Sequence, residues 1–266
     1  MDLVGRGGRR PRRLCCVVIV SASMLGACAP AATHPRATAS STTPATGATR
    51  ATTTTTMTPE PPVTPVQWAP CGALLCGTVA VPLDYAQPQL GTLEISLEMH
   101  PATDPAERIG SLVINPGGPG GSGINDLPSE LSVLTPELLA RFDIVSFDPR
   151  GVERSSPVHC NTGSSGTLPA STGPLPDPVP STAAAQQALF ANDAAYAAQC
   201  ETLSGELLPF VGTVDTARDL DRIRQALGDA QLTFFGHSYG TLLGATYAQM
   251  FPTHVRAMVL DGAIDP

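Results

Sequence analysis

A single pentapeptide, GHSYG at 236–240, restricts the fold more than any other part of this sequence. It follows the apolar run LTFF and precedes TLLGATYAQM, so a glycine-serine-glycine turn lies between a predicted strand and a predicted helix. Such a turn is typical of a serine raised above the carboxyl edge of a parallel sheet. Its glycines keep side chains away from the strand and helix, and the helix dipole favours negative charge near the hydroxyl. The sequence therefore predicts that Ser238 is a nucleophile.

The patterning of the rest of the chain predicts alternating strands and helices. We expect strands at 77–81, 93–99, 112–114, 142–147, 232–235 and 255–260, and helices at 135–141, 183–200, 216–227 and 241–250. The helix at 216–227 is predicted to begin with Thr216 as its cap and Asp219 at the capping-box position. Short apolar strands that alternate with helices indicate an α/β protein with a mostly parallel sheet and helices on both faces.

Two further segments follow predicted strands and point to the same edge of the sheet. NPGGPGGSG at 115–123 is glycine-rich backbone that can present free N–H groups to an oxyanion. A phosphate-binding loop is the disfavoured alternative, because the Gly-Lys-Ser/Thr signature is missing and the chain contains no lysine. DPRG at 148–151 supplies Asp148 and Arg150, which we expect to hold loops beside the site.

These segments together resemble the α/β-hydrolase fold, and within it the secreted actinobacterial tripeptidyl aminopeptidases related to proline iminopeptidases. The resemblance covers essentially all of 67–266 and rests on strings that occur in the family's order: CGTVAVPLDY (76–85), NPGGPGGSG (115–123), FDIVSFDPRG (142–151), GTVDTARDLDRIR (212–224) and GHSYGTLLGATYAQMFP (236–252). It implies a serine peptidase that releases short N-terminal peptides through an acyl-enzyme on Ser238. The implied oxyanion donors are the backbone N–H groups of Gly118 and Tyr239, and neither a cofactor nor a metal is implied.

The chain departs from the pattern of this family in the sequence C-terminal to Ser238. In the α/β-hydrolase fold the triad acid and then the histidine follow the serine. Here the order is His254, then Asp261 and Asp265, and we expect His254 to be an exposed loop residue. The resemblance places the triad acid and histidine beyond position 266. On this interpretation 67–266 is the N-terminal part of an α/β-hydrolase domain, truncated after about the sixth strand. The start of a cap-like insertion is expected around 155–212. The chain alone is expected to be inactive.

Two rival functions remain open at this point. An esterase or lipase would use the same elbow, and the missing part of the domain would decide between ester and peptide substrates. A catalytically inactive lipoprotein that binds a peptide or another partner is the second alternative. Nucleic acid is excluded as a partner, because from position 28 onward 22 acidic residues face ten arginines.

The N-terminus is typical of an exported protein. Residues 1–27 combine five arginines among the first 13 residues with the apolar run LCCVVIVSASML, which is too short to span a bilayer. LGAC at 25–28 resembles a bacterial lipobox, in which Cys28 is acylated and becomes the first mature residue; ordinary cleavage nearby is the alternative. Residues 28–66 are rich in Thr, Pro and Ala and predict a flexible tether. We expect a lipid-anchored or secreted protein on the extracellular face.

Cysteine use agrees with export. Once the signal peptide and Cys28 are set aside, four cysteines remain, and an even number in an oxidising compartment suggests two disulfides. The count alone allows three pairings, and the family resemblance implies Cys71–Cys76 and Cys160–Cys200. A metal site is the weaker alternative, because the only histidine near these cysteines is His159.

Replacement of Cys28 by serine is expected to release the protein from membranes of its native host. Serine cannot carry the thioether-linked lipid, so the protein would lose its anchor. Membrane partitioning and mass spectrometry of the N-terminal peptide measure this. Unchanged partitioning together with an unacylated wild-type peptide would rule out the anchor.

Overall fold

The structure is a computed structural model, and it describes residues 61–160 and 179–264. The predicted signal peptide, Cys28 and most of the predicted tether lie outside the described residues. Among the helices that are described, none combines the length and the hydrophobicity needed to span a membrane.

Seven strands form one sheet in the order β1-β2-β3-β5-β4-β6-β7. Their bounds are Ala69–Cys71 (β1), Leu74–Pro82 (β2), Thr92–His100 (β3), Gly110–Asn115 (β4), Phe142–Phe147 (β5), Leu232–His237 (β6) and Val255–Asp261 (β7). The first three strands and the β3–β5 pair are antiparallel, while β5, β4, β6 and β7 run parallel. All six predicted strands are confirmed, and β1 is an additional short strand that pairs with the start of β2.

The described residues form five α-helices, Gly123–Val133 (α1), Pro136–Arg141 (α2), Ala183–Ser204 (α3), Thr213–Ala226 (α4) and Tyr239–Met250 (α5), and all of them except α3 pack on the sheet. Short 3-10 turns occur at Pro88–Leu90, Leu208–Phe210 and Pro252–His254. Helix α1, which contains Pro128 in its second turn, was not predicted from the sequence. Ser122 caps this helix by accepting the Asn125 N–H.

Helix α4 begins earlier than predicted. Gly212 is its N-cap, and the expected cap, Thr216, lies inside the helix, where its hydroxyl donates to the Gly212 carbonyl. Asp219 makes no capping box, because its carboxylate is buried against Arg150. The predicted capping box is wrong because Asp219 binds the guanidinium of Arg150, which lies far away in the sequence, instead of a backbone N–H of its own helix.

The core lies on both faces of the sheet. In β4 the side chain of Val113 joins the cluster under α4 and α5, whereas Leu112 and Ile114 join the cluster under α1 and α2. This alternation follows from the two-residue repeat of a strand that is buried on both faces. Val66 also belongs to the first cluster and donates its N–H to the Ala226 carbonyl, and Val63 packs against the same cluster, so the packed domain begins before the predicted boundary at 67.

Two disulfides tie surface segments to the domain. Cys71–Cys76 closes the β1–β2 hairpin, and Cys160–Cys200 joins the segment after β5 to the C-terminal half of α3. These are the pairs that the family resemblance implies. Cys200 is the only buried residue of α3, so this 22-residue helix is held to the domain mainly through that end.

A polar network around Asp221 fastens α4 to α5 and to the turn before β7. Its carboxylate accepts hydrogen bonds from Arg224, from the Tyr247 hydroxyl at 2.9 Å and from His254 Nδ1 at 2.8 Å. Burial alone would raise the pKa of Asp221, but the hydrogen bonds from these three side chains outweigh burial and lower it. The ionised carboxylate therefore stabilises the folded state.

Asp221→Asn is expected to lower the free energy of unfolding by about 2 kcal/mol at about pH 7, the size of a hydrogen bond to a charged group. Because the folded-state pKa of Asp221 is lowered, this contribution is present above the ordinary carboxyl pKa and is lost as the pH falls through the folded value. Denaturant unfolding from about pH 7 to about pH 3 should therefore show the two proteins converging. Asp193→Asn on the exposed face of α3 is the control, and a deficit independent of pH would contradict this role.

Candidate active site

Ser238 occupies the junction of β6 and α5 in a strained backbone conformation. It is the N-cap of α5, with φ 49° and ψ −119°, and its side chain is exposed. A positive φ in a non-glycine residue costs of order 1–3 kcal/mol and persists only where the surroundings impose it. The predicted turn between strand and helix is therefore present, with the serine hydroxyl at the helix N-terminus.

Two glycines make this turn possible. A Cβ on Gly236 would collide with the carbonyl group of Gly240, and a Cβ on Gly240 would lie 2.5 Å from the carbonyl oxygen of Asn115. Both glycines therefore stand where the backbones of β4, β6 and α5 approach one another too closely for any side chain.

The backbone of Ser238 is hydrogen-bonded on both sides. Its N–H donates to the carbonyl of Asp261 at the end of β7, at 2.9 Å. Its carbonyl accepts the Thr241 N–H at 2.9 Å and the Thr241 hydroxyl at 2.6 Å. These bonds fix the peptide groups on either side of the strained residue.

The glycine-rich loop after β4 packs directly on this turn. Asn115 is fully buried, and its Oδ1 accepts the Gly117 N–H at 3.1 Å, which starts the loop. A Cβ on Gly117 would lie 2.6 Å from the His237 carbonyl oxygen and 3.0 Å from the Tyr239 nitrogen. Gly117 and Gly118 both have positive φ, and the Gly118–Pro119 peptide bond is cis. The loop backbone thus lies against the nucleophile turn.

The predicted oxyanion donors belong to this loop and to the start of α5. Tyr239 is the first residue of α5, and the first N–H groups of a helix have no acceptor within it. Its phenol lies 2.8 Å from the Thr213 hydroxyl at the start of α4, and this contact fixes the side chain. Gly118 lies one residue beyond the glycine that contacts the turn, so its role as second donor stays a prediction.

Neither nearby histidine is bonded to Ser238. His237 Nε2 lies 3.2 Å from Glu130, and its Nδ1 lies 3.4 Å from the carboxylate of Asp261. His254 bonds to Asp221, so it is half-buried in a structural network rather than a free loop residue. Within 61–160 and 179–264, the Ser238 hydroxyl makes no hydrogen bond to a base.

Arg150 organises the segments that flank the site. Its guanidinium is fully buried and forms two hydrogen bonds of 2.6 Å with Asp219, and it donates to three backbone carbonyls, those of Pro82, Leu83 and Phe210. Tyr85 donates to the same carboxylate at 2.7 Å, and burial together with this carboxylate raises the pKa of the phenol, so that it stays a donor. The expected structural role of Arg150 follows from these contacts.

Asp148 holds the start of α1. Its carboxylate accepts the Ser122 hydroxyl at 2.5 Å and the N–H groups of Ile124 and Arg154. Because α1 follows the glycine-rich loop directly, this carboxylate fixes the far end of the loop while Asn115 fixes its beginning. Asp148 therefore positions the loop, as the sequence analysis expected.

A metal ion has no evident place among the described residues. One group of possible ligands, Cys71, Cys76 and Glu98, lies close together, but the disulfide occupies both sulfur atoms. The carboxylates of Glu130 and Asp261 lie within ion-pair distance of His237, the residue before Ser238.

Three residues of this arrangement were not singled out from the sequence: Asn115, Thr213 and Thr241. Asn115 and Thr213 lie inside segments that had been recognised, and Thr241 directly follows the last glycine of the pentapeptide. Their proximity to a motif was the only available signal, because their partners are distant in the sequence.

Comparison with known proteins places this arrangement in context. A family profile described as the alpha/beta hydrolase fold matches residues 110–266. The chain is 42% identical over 215 residues to the serine protease Hip1 of Mycobacterium tuberculosis (strain H37Rv), covering 76% of this chain and 40% of that protein. It is 40% identical over 212 residues to the tripeptidyl aminopeptidase of Streptomyces lividans, covering 76% and 38%. It is 36% identical over 194 residues to carboxylesterase B of M. tuberculosis, covering 72% and 36%.

The chain thus spans 40% or less of the length of these curated relatives.

Gly117→Ala is expected to lower the free energy of unfolding by more than Gly120→Ala. Both glycines have positive φ, 101° and 90°, so both variants carry a left-handed penalty of about 1–2 kcal/mol. Only the Cβ at 117 also meets the nucleophile turn, whereas the Cβ at 120 has nothing within 4 Å. Denaturant unfolding compares the two variants, and equal losses would mean that the loop does not pack on the turn as described.

Proposed function

This chain belongs to the α/β-hydrolase family, and from that premise we propose that it contributes the nucleophile and the oxyanion donors of an exported serine peptidase. The observation that carries the proposal is the exposed, strained Ser238 at the β6–α5 junction, with the glycine-rich loop packed against it. Backbone strain clusters at active sites, and here it coincides with an exposed hydroxyl at a helix N-terminus. The rival of an inactive binding protein is disfavoured for that reason.

The proposed reaction is acyl transfer to Ser238 followed by hydrolysis. The Ser238 oxygen attacks the carbonyl carbon of a peptide bond while a base accepts the hydroxyl proton. The N–H groups of Tyr239 and Gly118 stabilise the negative charge that develops on the carbonyl oxygen. The carbon–nitrogen bond then breaks, and the amine leaves with the proton that the base had accepted. Water next attacks the acyl-enzyme, the base accepts the proton of the water, and Ser238 is released with that proton as the acid product leaves.

The proposed substrate is a short peptide with a free N-terminus. The support is similarity: the matches to a serine protease and to a tripeptidyl aminopeptidase are longer and closer than the match to a carboxylesterase. Because fold and nucleophile are common to peptidases and esterases, an ester-cleaving enzyme is the second candidate.

Export is proposed on two grounds. Disulfides persist in oxidising compartments, and the described part of the chain has two of them. The LGAC sequence that ends at Cys28 supplies a site for a lipid anchor. The proposed location is therefore the extracellular face of the cell membrane.

We also propose that the 266-residue chain has no turnover by itself. The hydroxyl of Ser238 is a weak nucleophile without a base, and His237 and His254 are engaged with carboxylates. The outer edge of β7 has no strand beside it in the described sheet, and Val259 on this strand is 59% exposed. An apolar groove of about 600 Å³ runs along the same strand. Such an edge favours aggregation of the isolated chain.

Ser238→Ala, in the protein extended through the downstream reading frame, is expected to lower kcat for a tripeptide anilide by on the order of 10⁴ or more. The nucleophile, base and acid act as a unit, so loss of one removes nearly the whole chemical advantage. Ser238→Cys is the matched variant that keeps a nucleophile. Near-normal turnover by Ser238→Ala would refute the assignment.

The same assay separates the remaining proposals. The 266-residue chain is expected to show no hydrolysis and to aggregate, and a soluble chain that cleaves the anilide would require a base within it. A matched pair, the tripeptide anilide and a short-chain nitrophenyl ester, separates peptidase from esterase. A kcat/KM that favours the ester alone would favour the second candidate function.

A further inference from the structure

The carbonyl of Ser238 is joined to the segment that follows β7 through a single side chain. The Thr241 hydroxyl donates to the Ser238 carbonyl at 2.6 Å and accepts the N–H of Ile264 at 3.0 Å. The same segment reaches the other side of the nucleophile, because the Ser238 N–H donates to the carbonyl of Asp261. Residues 261–264 therefore hold the strained serine from both sides.

We propose that Thr241 is a positioning residue that keeps Ser238 in its strained conformation by linking it to residues 261–264. This inference rests on the proposed role of Ser238 as the nucleophile. Thr241 does not touch the substrate; it acts through the backbone of Ser238, whose orientation sets both the hydroxyl and the adjoining Tyr239 N–H.

The hydroxyl is suited to this role because it donates and accepts at the same time. A hydroxyl has one proton and two lone pairs, so it can satisfy a carbonyl and an N–H together. Thr241 is only 2% exposed, and water cannot readily replace either bond. A side chain of the same shape without oxygen leaves the Ile264 N–H without this partner and removes one of the two bonds to the Ser238 carbonyl.

The geometry around Gly262 shows how closely this segment lies over the turn. Gly262 has φ +68°, and a Cβ there would lie 3.8 Å from the Ser238 nitrogen. The chain after β7 thus turns back across Ser238 and reaches Thr241 in the first turn of α5. Loss of the Thr241 hydroxyl removes the link to Ile264, and this segment then holds the serine only through the bond from the Ser238 N–H to the Asp261 carbonyl.

A displaced serine lowers the rate of the chemical step more than the affinity for substrate. A misplacement of about 1 Å can cost about 100-fold in rate, because attack and charge stabilisation both depend on alignment. Substrate contacts made by other parts of the site are untouched. We therefore expect kcat to fall with little change in KM.

The test compares three variants in the extended protein with the tripeptide anilide as substrate. Thr241→Val keeps the shape and removes the hydroxyl, and kcat is expected to fall by about 10- to 100-fold with KM within about two-fold. Thr241→Ser keeps the hydroxyl and is expected to restore kcat to within about three-fold of the wild type. Thr246→Val makes the same substitution at a half-buried position of α5 and should leave kcat unchanged.

The outcomes separate this inference from the function on which it rests. Full turnover by Ser238→Ala in the same assay overturns the proposed function, whereas full turnover by Thr241→Val beside an inactive Ser238→Ala overturns only the role of Thr241. A loss in Thr241→Val that Thr241→Ser does not restore, or a loss confined to KM, also overturns it. If Thr241→Val does not fold, Thr241→Cys, with its weaker donor and acceptor, replaces it and is expected to give an intermediate kcat.

Discussion

Close approach of four backbone segments at the carboxyl edge of the sheet is the constraint on which the site depends. Gly236, Gly240 and Gly117 lie where β4, β6, α5 and the glycine-rich loop would otherwise collide. Because no side chain separates them, the loop can present its N–H groups beside the serine. The strain at Ser238 is a consequence of the same approach: the chain must reverse direction between a strand and a helix that are almost in contact.

Buried charges then hold the parts that the glycines bring together. Asp219 and Asp221 lie two residues apart on α4, and their carboxylates bind different side chains. Asp219 binds Arg150 and so connects α4 to the end of β2 and to the segment before α4, whereas Asp221 binds side chains of α5 and of the turn before β7. Helix α4 thus holds in place both α5, which follows Ser238, and the segments that flank the site.

The sequence was sufficient for the sheet and for the strand–turn–helix arrangement around Ser238, because both leave local patterns. The predicted strands are short apolar runs or alternate apolar and polar residues, and the turn requires glycines at fixed spacing. Helix α1 was missed because Pro128 interrupts its helical sequence pattern. The start of α4 was misplaced because Asp219, the expected capping-box residue, binds the guanidinium of Arg150, which is distant in the sequence. The role of Thr241 depends on an N–H 23 residues later, and no local pattern reports such a partner.

The register between β4 and β6 bears on how the protein reaches its native state. Asn115 pairs with Gly236, so the strands that frame the serine are separated by about 120 residues of chain. Closing a loop of that length costs conformational entropy before any contact is gained, and long-range parallel pairing is intrinsically slow. We therefore expect the turn at Ser238 to form late in folding. Until β4 and β6 pair, the glycine-rich loop cannot pack against this turn, so a partly folded chain lacks the geometry of the candidate site.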